Sequence, residues 1–185
     1  MQLLLETERL ILRELQLSDA QGMFELDSDP EVHKYLGNKP VDNIEECIKT
    51  IELVRKQYQE NGVGRFAMLE KATGNFMGWT GIKFITEPIN NHVNFYEVGY
   101  RIIQKYWGNG YATESTKASL DFAFNQLNAN EVYGITNVEN LKSVRVLEKC
   151  GLKIIGNFTW TEWNKLYCNW LKISREDWDE KKKMG

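Results

Sequence analysis

Trp107-Gly108-Asn109-Gly110-Tyr111-Ala112-Thr113-Glu114 lies between a strand-like run at 93–102 and a helix-like run at 111–127. Small residues at such a junction bring backbone N–H groups and the positive end of a helix toward an anion such as a pyrophosphate. Glycine also serves plain tight turns, so the octet gains meaning only from what surrounds it.

Outward from the octet, periodicity places the other elements. Residues 10–15 form a first expected strand, and Ser18-Asp19-Ala20-Gln21 has the pattern of a capping box opening a helix to about Leu26. A short helix is expected from Asp29-Pro30-Glu31. A longer one follows from Ile44, Cys47, Ile48, Ile51, Val54 and Tyr58, stopped by Asn61-Gly62. Runs 65–70 and 76–86 read as an antiparallel hairpin. In 93–102, alternation puts Tyr96, Val98, Tyr100 and Ile102 on one face and Phe95, Glu97, Gly99 and Arg101 on the other. After the octet come a helix to Leu127, a strand at 132–136, a helix at 140–150 ended by Gly151, strands at 152–160 and 166–173, and a short helical turn at 175–178. The Lys181-Lys182-Lys183 run beyond it reads as a solvated end. Hairpins followed by a strand-helix-strand crossover indicate a mixed sheet.

Composition narrows the function. The 185 residues, 42% hydrophobic, suffice for one core, so a single domain over 1–185 is expected. The formal charge of -3 offers no general attraction to nucleic acid or to anionic membranes. Cys47, Cys150 and Cys168 stand far apart without C-x-x-C spacing, and His33 and His92 are the two histidines, so reduced thiols and no metal are expected. The start of the chain has no basic leader and no apolar run reaches bilayer length, so the expectation is a cytoplasmic protein.

Taken in order, Glu97-Val98-Gly99-Tyr100, the octet 107–114, Asn137-Val138-Glu139-Asn140-Leu141-Lys142-Ser143 and Glu148-Lys149-Cys150-Gly151-Leu152 resemble the GNAT superfamily of N-acetyltransferases. Thr7-Glu8-Arg9-Leu10-Ile11-Leu12-Arg13 is similar to the opening strand of its RimJ/RimL branch, whose named members acetylate the N-termini of ribosomal proteins. The resemblance implies an α/β (α+β) domain: a central, twisted mixed sheet with helices on both faces, whose fourth and fifth strands splay apart. It also implies acetyl-CoA as co-substrate, an amine acceptor (a peptide N-terminus or a small-molecule amine), and a homodimer as the first guess at assembly.

The family's R/Q-x-x-G-x-G/A loop falls on Trp107, Gly110 and Ala112, with Gly108 and Asn109 between. Trp107 departs from the general Arg/Gln, a change of little weight because backbone amides do the binding. The implied cofactor contacts are Tyr100, Arg101 and Ile102 on the strand, Trp107, Gly108, Asn109, Gly110, Tyr111, Ala112 and Thr113 at the loop, and Asn140 and Ser143 at the next helix. A dinucleotide loop competes, but Thr113 stands where its third glycine belongs.

Glu97 reads two ways: a base for the amine, which by the resemblance works through water, or an exposed strand carboxylate or ion-pair partner of Arg101 on the same strand face. Asn140 suits a helix N-cap. By the resemblance it contacts the pantetheine arm, and Ser143 donates a proton to the departing thiolate. Tyr133 and Tyr167 are alternative acids, and Cys150 reads as an inert thiol. Of Trp160, Trp163, Trp170 and Trp178, some belong to the core and others border an acceptor cleft. A silent acetyl-CoA-binding module and a nucleotide-dependent oxidoreductase are the competing functional classes.

Overall fold

A computed structural model describes residues 3–184; Met1, Gln2 and Gly185, the ends of the expected 1–185 domain, lie outside the described residues. One eight-stranded mixed sheet runs through it in the order β1-β2-β3-β4-β5-β6-β8-β7. Its strands are β1 (Leu4–Glu6), β2 (Leu10–Glu14), β3 (Arg65–Glu70), β4 (Phe76–Ile85), β5 (Phe95–Ile102), β6 (Glu131–Asn137), β7 (Lys153–Trp160) and β8 (Leu166–Ser174). Helices α1 (Ala20–Asp27), α2 (Pro30–His33) and α3 (Ile44–Asn61) precede β3; α4 (Tyr111–Asn125), α5 (Leu141–Lys149) and α6 (Arg175–Met184) follow β5, β6 and β8.

The two sheet faces carry separate cores. Alternating residues Leu10, Leu12, Phe66, Met68, Val98, Ile102, Leu171 and Ile173 pack with Leu120, Phe124, Leu147 and Trp178 of α4, α5 and α6. The opposite face packs Leu15, Ala67 and Ile103 against Met23 and Leu26 of α1 and Cys47, Ile51 and Val54 of α3. Each fully buried aliphatic side chain of this kind contributes roughly 1.5–3 kcal/mol. Helix α3 forms as its periodicity predicts, capped by Asn43, whose side chain accepts from the Glu46 amide at 3.2 Å, and stopped by Gly62 at φ 69°.

Four expectations are corrected. A first strand, β1, precedes the expected one, pairing Leu4 with Arg13 through Glu6 with Ile11; three residues of backbone ladder on a sheet edge carry too little periodicity to be read. The cap before α1 uses Gln16 and Asp19 rather than Ser18 and Gln21, because Asp19 accepts from the Gln16 amide at 2.8 Å while also pairing with Arg13. Strand β5 starts at Phe95, two residues later than the alternation begins. The last helix, expected over 175–178, continues to Met184, and the exposed Lys182 and Lys183 lie on it. With β1 added, the strands expected to splay as fourth and fifth are β5 and β6.

The β3–β4 ladder shifts between Met68 and Leu69, and Gly78 beside this bulge has φ +143° with the position of a Cβ only 2.1 Å from the Arg101 carbonyl oxygen. Gly78→Ala is therefore expected to cost about 3 kcal/mol or more, since backbone strain and overlap with backbone add. Gly62→Ala, strained in φ but with nothing within 4 Å, should cost only about 1–2 kcal/mol. Urea unfolding midpoints of the two variants measure the difference; equal losses would contradict it.

Candidate active site

Strands β5 and β6 meet at a single parallel pair, Glu97 opposite Tyr133. No other pair joins them, so residues 99–102 and 135–137 have no register partner across the gap, whereas β5 pairs with β4 along its whole length and β6 with β8 along all of its own. The parting leaves one edge of each strand with open main-chain groups, which ordinary packing does not tolerate without another partner.

The octet stands at the mouth of this fork. Gly108 (φ 80°) and Gly110 (φ 82°) take left-handed backbone, and Gly110 is the N-cap of α4 with no side chain capping it. Among the described residues, the amides of 108–113 have no protein acceptor. Six adjacent open donors at the positive end of a 15-residue helix make a cradle for an anion. Trp107 Nε1 donates to the Ile102 carbonyl at 2.7 Å, tying the loop to the end of β5. A hollow of about 450 Å³ opens beside the loop, lined by Glu8, Gly110, Thr113, Glu114, Lys117 and Lys149.

The loop is held from behind by the start of the chain. Glu114 accepts from Thr7 Oγ1 (2.6 Å), the Arg9 amide (2.9 Å) and Arg9 Nε (2.7 Å), while Arg9 also donates to the Asn109 carbonyl (3.0 Å). The Arg9 guanidinium lies 4.4 Å from the centre of the Tyr111 ring. Burial works against the Glu114 charge, but these bonds outweigh it and hold the carboxyl below its usual range. Sequence reasoning misses this latch because Glu114 is distant along the chain from its partners; the Thr7-Glu8-Arg9 opening is the one signal that points to it.

Asn140 caps α5, its side chain accepting from the Ser143 amide at 3.2 Å. Ser143 Oγ in turn accepts from the Tyr100 hydroxyl at 3.2 Å, so Tyr100, Asn140 and Ser143 are gathered on the α4/α5 side of the fork. The other expected acids lie elsewhere. Tyr133 is buried and donates to Glu131 at 2.5 Å, burial and that carboxylate both pushing its phenol up, and Tyr167 is exposed on β8. The three thiols are free and buried; burial pushes Cys150 up to about 11, in keeping with an inert group.

On the opposite face Glu97 is only 8% exposed and pairs with Arg65, correcting the expected Glu97–Arg101 pair. Arg65 also donates to the carbonyls of Gly81 and Glu97. Arg101 instead bonds Asp27 of α1 at 2.6 Å, with His33 Nε2 3.5 Å from the same oxygen. Both guanidiniums lie against Trp79, at 5.3 and 5.1 Å from its ring centre. The pairing differs from expectation because β3 and α1 each present an oppositely charged group at closer range than four residues along a strand. Trp170 and Trp178 are core residues, whereas Trp163 donates to the Leu36 carbonyl at 3.1 Å, linking the β7–β8 turn to the α2–α3 connection. Among the described residues no three His, Cys, Asp or Glu side chains gather as a metal-binding group, and no helix is long and apolar enough to cross a membrane.

Arg65→Met should cost about 3–5 kcal/mol, because it strands the Glu97 carboxylate in the interior. Adding Glu97→Gln to that variant should recover part of the loss; no recovery in denaturant titrations would show that Arg65 matters for packing alone. Burial opposes the charge on Asp27, but His33 and Arg101 outweigh it and lower its pKa. A lowered carboxyl stabilises the fold above its unfolded value, near pH 4, and that stabilisation disappears as pH falls through the folded value. The stability gap between wild type and Asp27→Asn should therefore narrow below about pH 4, and a gap constant from pH 7 to pH 2.5 would refute the assignment.

The pattern of the acetyltransferase (GNAT) domain matches residues 9–153. An uncharacterized N-acetyltransferase of Bacillus licheniformis is 32% identical over 143 residues, covering 77% of this chain and 78% of the relative. Among solved structures, spermidine N-acetyltransferase from Vibrio cholerae in complex with CoA and spermine is similar at a TM-score of 0.73 and 22% identity, covering 93% of this chain and 99% of its own. Ribosomal-protein-S5-alanine acetyltransferase from Vibrio fischeri is similar at a TM-score of 0.75 and 18% identity, covering 95% and 98%. A fork of two parting strands with a glycine loop at its mouth thus sits in a chain whose sequence matches one domain over most of its length: the protein belongs to the GNAT acetyltransferase family and is an acyltransferase.

Proposed function

We propose that residues 1–185 act as one catalytic unit that transfers the acetyl group of acetyl-CoA to a primary amine, by direct attack while both are bound. The observation that carries this reading is the fork with open amides at its mouth. Coenzyme A has a pyrophosphate and an arm bearing two amides. The amides of 108–113 suit the pyrophosphate, and the unpaired edge at Tyr100, Arg101 and Ile102 suits the arm as a false strand. Asn140 and Ser143 face the inner end of that path.

In this scheme the chain's own groups divide the work. Binding both reactants in one cleft supplies orientation, and a strand amide near 98–100 faces the oxygen on which negative charge develops. Glu97, at the vertex of the fork and oriented by Arg65, accepts a proton from the amine through water. Ser143 donates toward the leaving sulfur. The acceptor belongs to the class of amines, a peptide N-terminus or a small-molecule amine, a reading supported by relatives named for spermidine N-acetylation. The charge of -3 supports the absence of stable nucleic-acid binding, and family resemblance supports a homodimer.

Acetyl-CoA and CoA should raise the melting temperature, by an amount equivalent to about 2.7 kcal/mol at a hundred times Kd, and NADH should not. Stabilisation by NADH alone would favour an oxidoreductase. Release of CoA thiol should then appear with at least one member of a panel of peptides, polyamines and aminoglycosides; binding without release across the panel would mark a silent module. Glu97→Gln should depress turnover chiefly at lower pH, where the amine (pKa about 8 for a peptide N-terminus, about 10 for an alkyl amine) is protonated and needs a base. Its affinity for CoA should be unchanged.

A further inference from the structure

The Tyr100 hydroxyl and Ser143 Oγ form a contact across the fork, from the unpaired part of β5 to the first turn of the helix that follows β6. A serine hydroxyl has one proton and two lone pairs. Tyr100 occupies a lone pair, and among the described residues the serine proton has no acceptor. Burial pushes the Tyr100 phenol up to about 12, against a smaller lowering by the Ser143 bond, so the tyrosine keeps its proton through the neutral range and acts as a steady donor.

We propose that Tyr100 is a positioning residue for the leaving group: by donating to Ser143 Oγ it turns the serine proton into the fork, toward the sulfur of the departing CoA. This rests on the acetyl-transfer reading above. A serine alkoxide is a far stronger base than a thiolate, so serine alone gains nothing by surrendering its proton. Its contribution is a charge-assisted hydrogen bond to the thiolate, strengthened when a second donor polarises the hydroxyl. The step balances without further reactants. The amine nitrogen forms the C–N bond, the C–S bond breaks with its electron pair moving to sulfur, and the nitrogen loses its proton toward Glu97 through water. Tyr100 and Ser143 both end the step protonated. The dyad lies on the α4/α5 side of the sheet and the Glu97–Arg65 pair on the other, so the proton-accepting and leaving-group functions occupy opposite faces of the fork.

The test uses CoA itself as the probe and needs no acceptor. The thiol of bound CoA is titrated by its thiolate absorbance in wild type, Tyr100→Phe, Ser143→Ala and the double variant, with melting temperatures as the check on folding. In wild type the bound thiol should ionise at lower pH than free CoA. Tyr100→Phe should move it back up by about half to one unit, a three- to tenfold loss of acidity. In the Ser143→Ala background, Tyr100→Phe should add nothing, since the tyrosine acts through the serine. An unmoved thiol in Tyr100→Phe, or an equal shift in both backgrounds, would overturn the proposal while leaving acetyl transfer standing. Failure of wild type to bind CoA would instead remove the acetyl-transfer reading on which it rests.

Discussion

The parting of β5 from β6 beyond the Glu97–Tyr133 pair is the constraint on which the rest of the molecule depends. A sheet closes every edge it can, because unpaired main-chain groups away from water are costly. Here two strands paired on their outer sides remain apart on their inner sides, and the elements after each of them, the α4 loop and the first turn of α5, gather at the open end. A gap lined by amides and carbonyls holds donors and acceptors that the sheet itself does not pair.

The two faces of the fork differ in chemistry because they differ in what covers them. On the α1–α3 side, β3 and α1 bring a guanidinium to Glu97 and a carboxylate to Arg101, so both charges of β5 are neutralised close to the Trp79 ring. On the α4/α5 side, the same strand presents Tyr100 to Ser143, a pair of neutral hydroxyls. Strand alternation makes this separation possible: neighbours in sequence are sent to opposite faces.

The loop is tied to the far end of the chain. Thr7 and Arg9 reach Glu114 and the Asn109 carbonyl across about a hundred residues of sequence. A carboxylate in the first turn of a helix is already favoured by the helix dipole. From the β1–β2 turn, Thr7 and Arg9 thus hold Glu114 on one side of the glycine turn and the Asn109 carbonyl within it.

Local physics makes most of the scaffold legible in the sequence. Apolar spacing in α3, alternation in β5, the stop at Gly62, the Asn140 cap and the glycine turn of the octet each depend on residues a few positions apart, so each can be read from its own stretch of chain. Family resemblance adds the order of motifs and the expectation of a fork. The charge partners are beyond that reach. Strand parity matches Glu97 to Arg101, yet the sheet brings Arg65 to the one and α1 brings Asp27 to the other. Likewise nothing in the sequence joins Tyr100 to Ser143. Which segments become strands, helices and turns follows from near neighbours and is written along the chain; which side chains meet across the sheet follows from folding alone, because those contacts join residues whose separation along the chain carries no local signal.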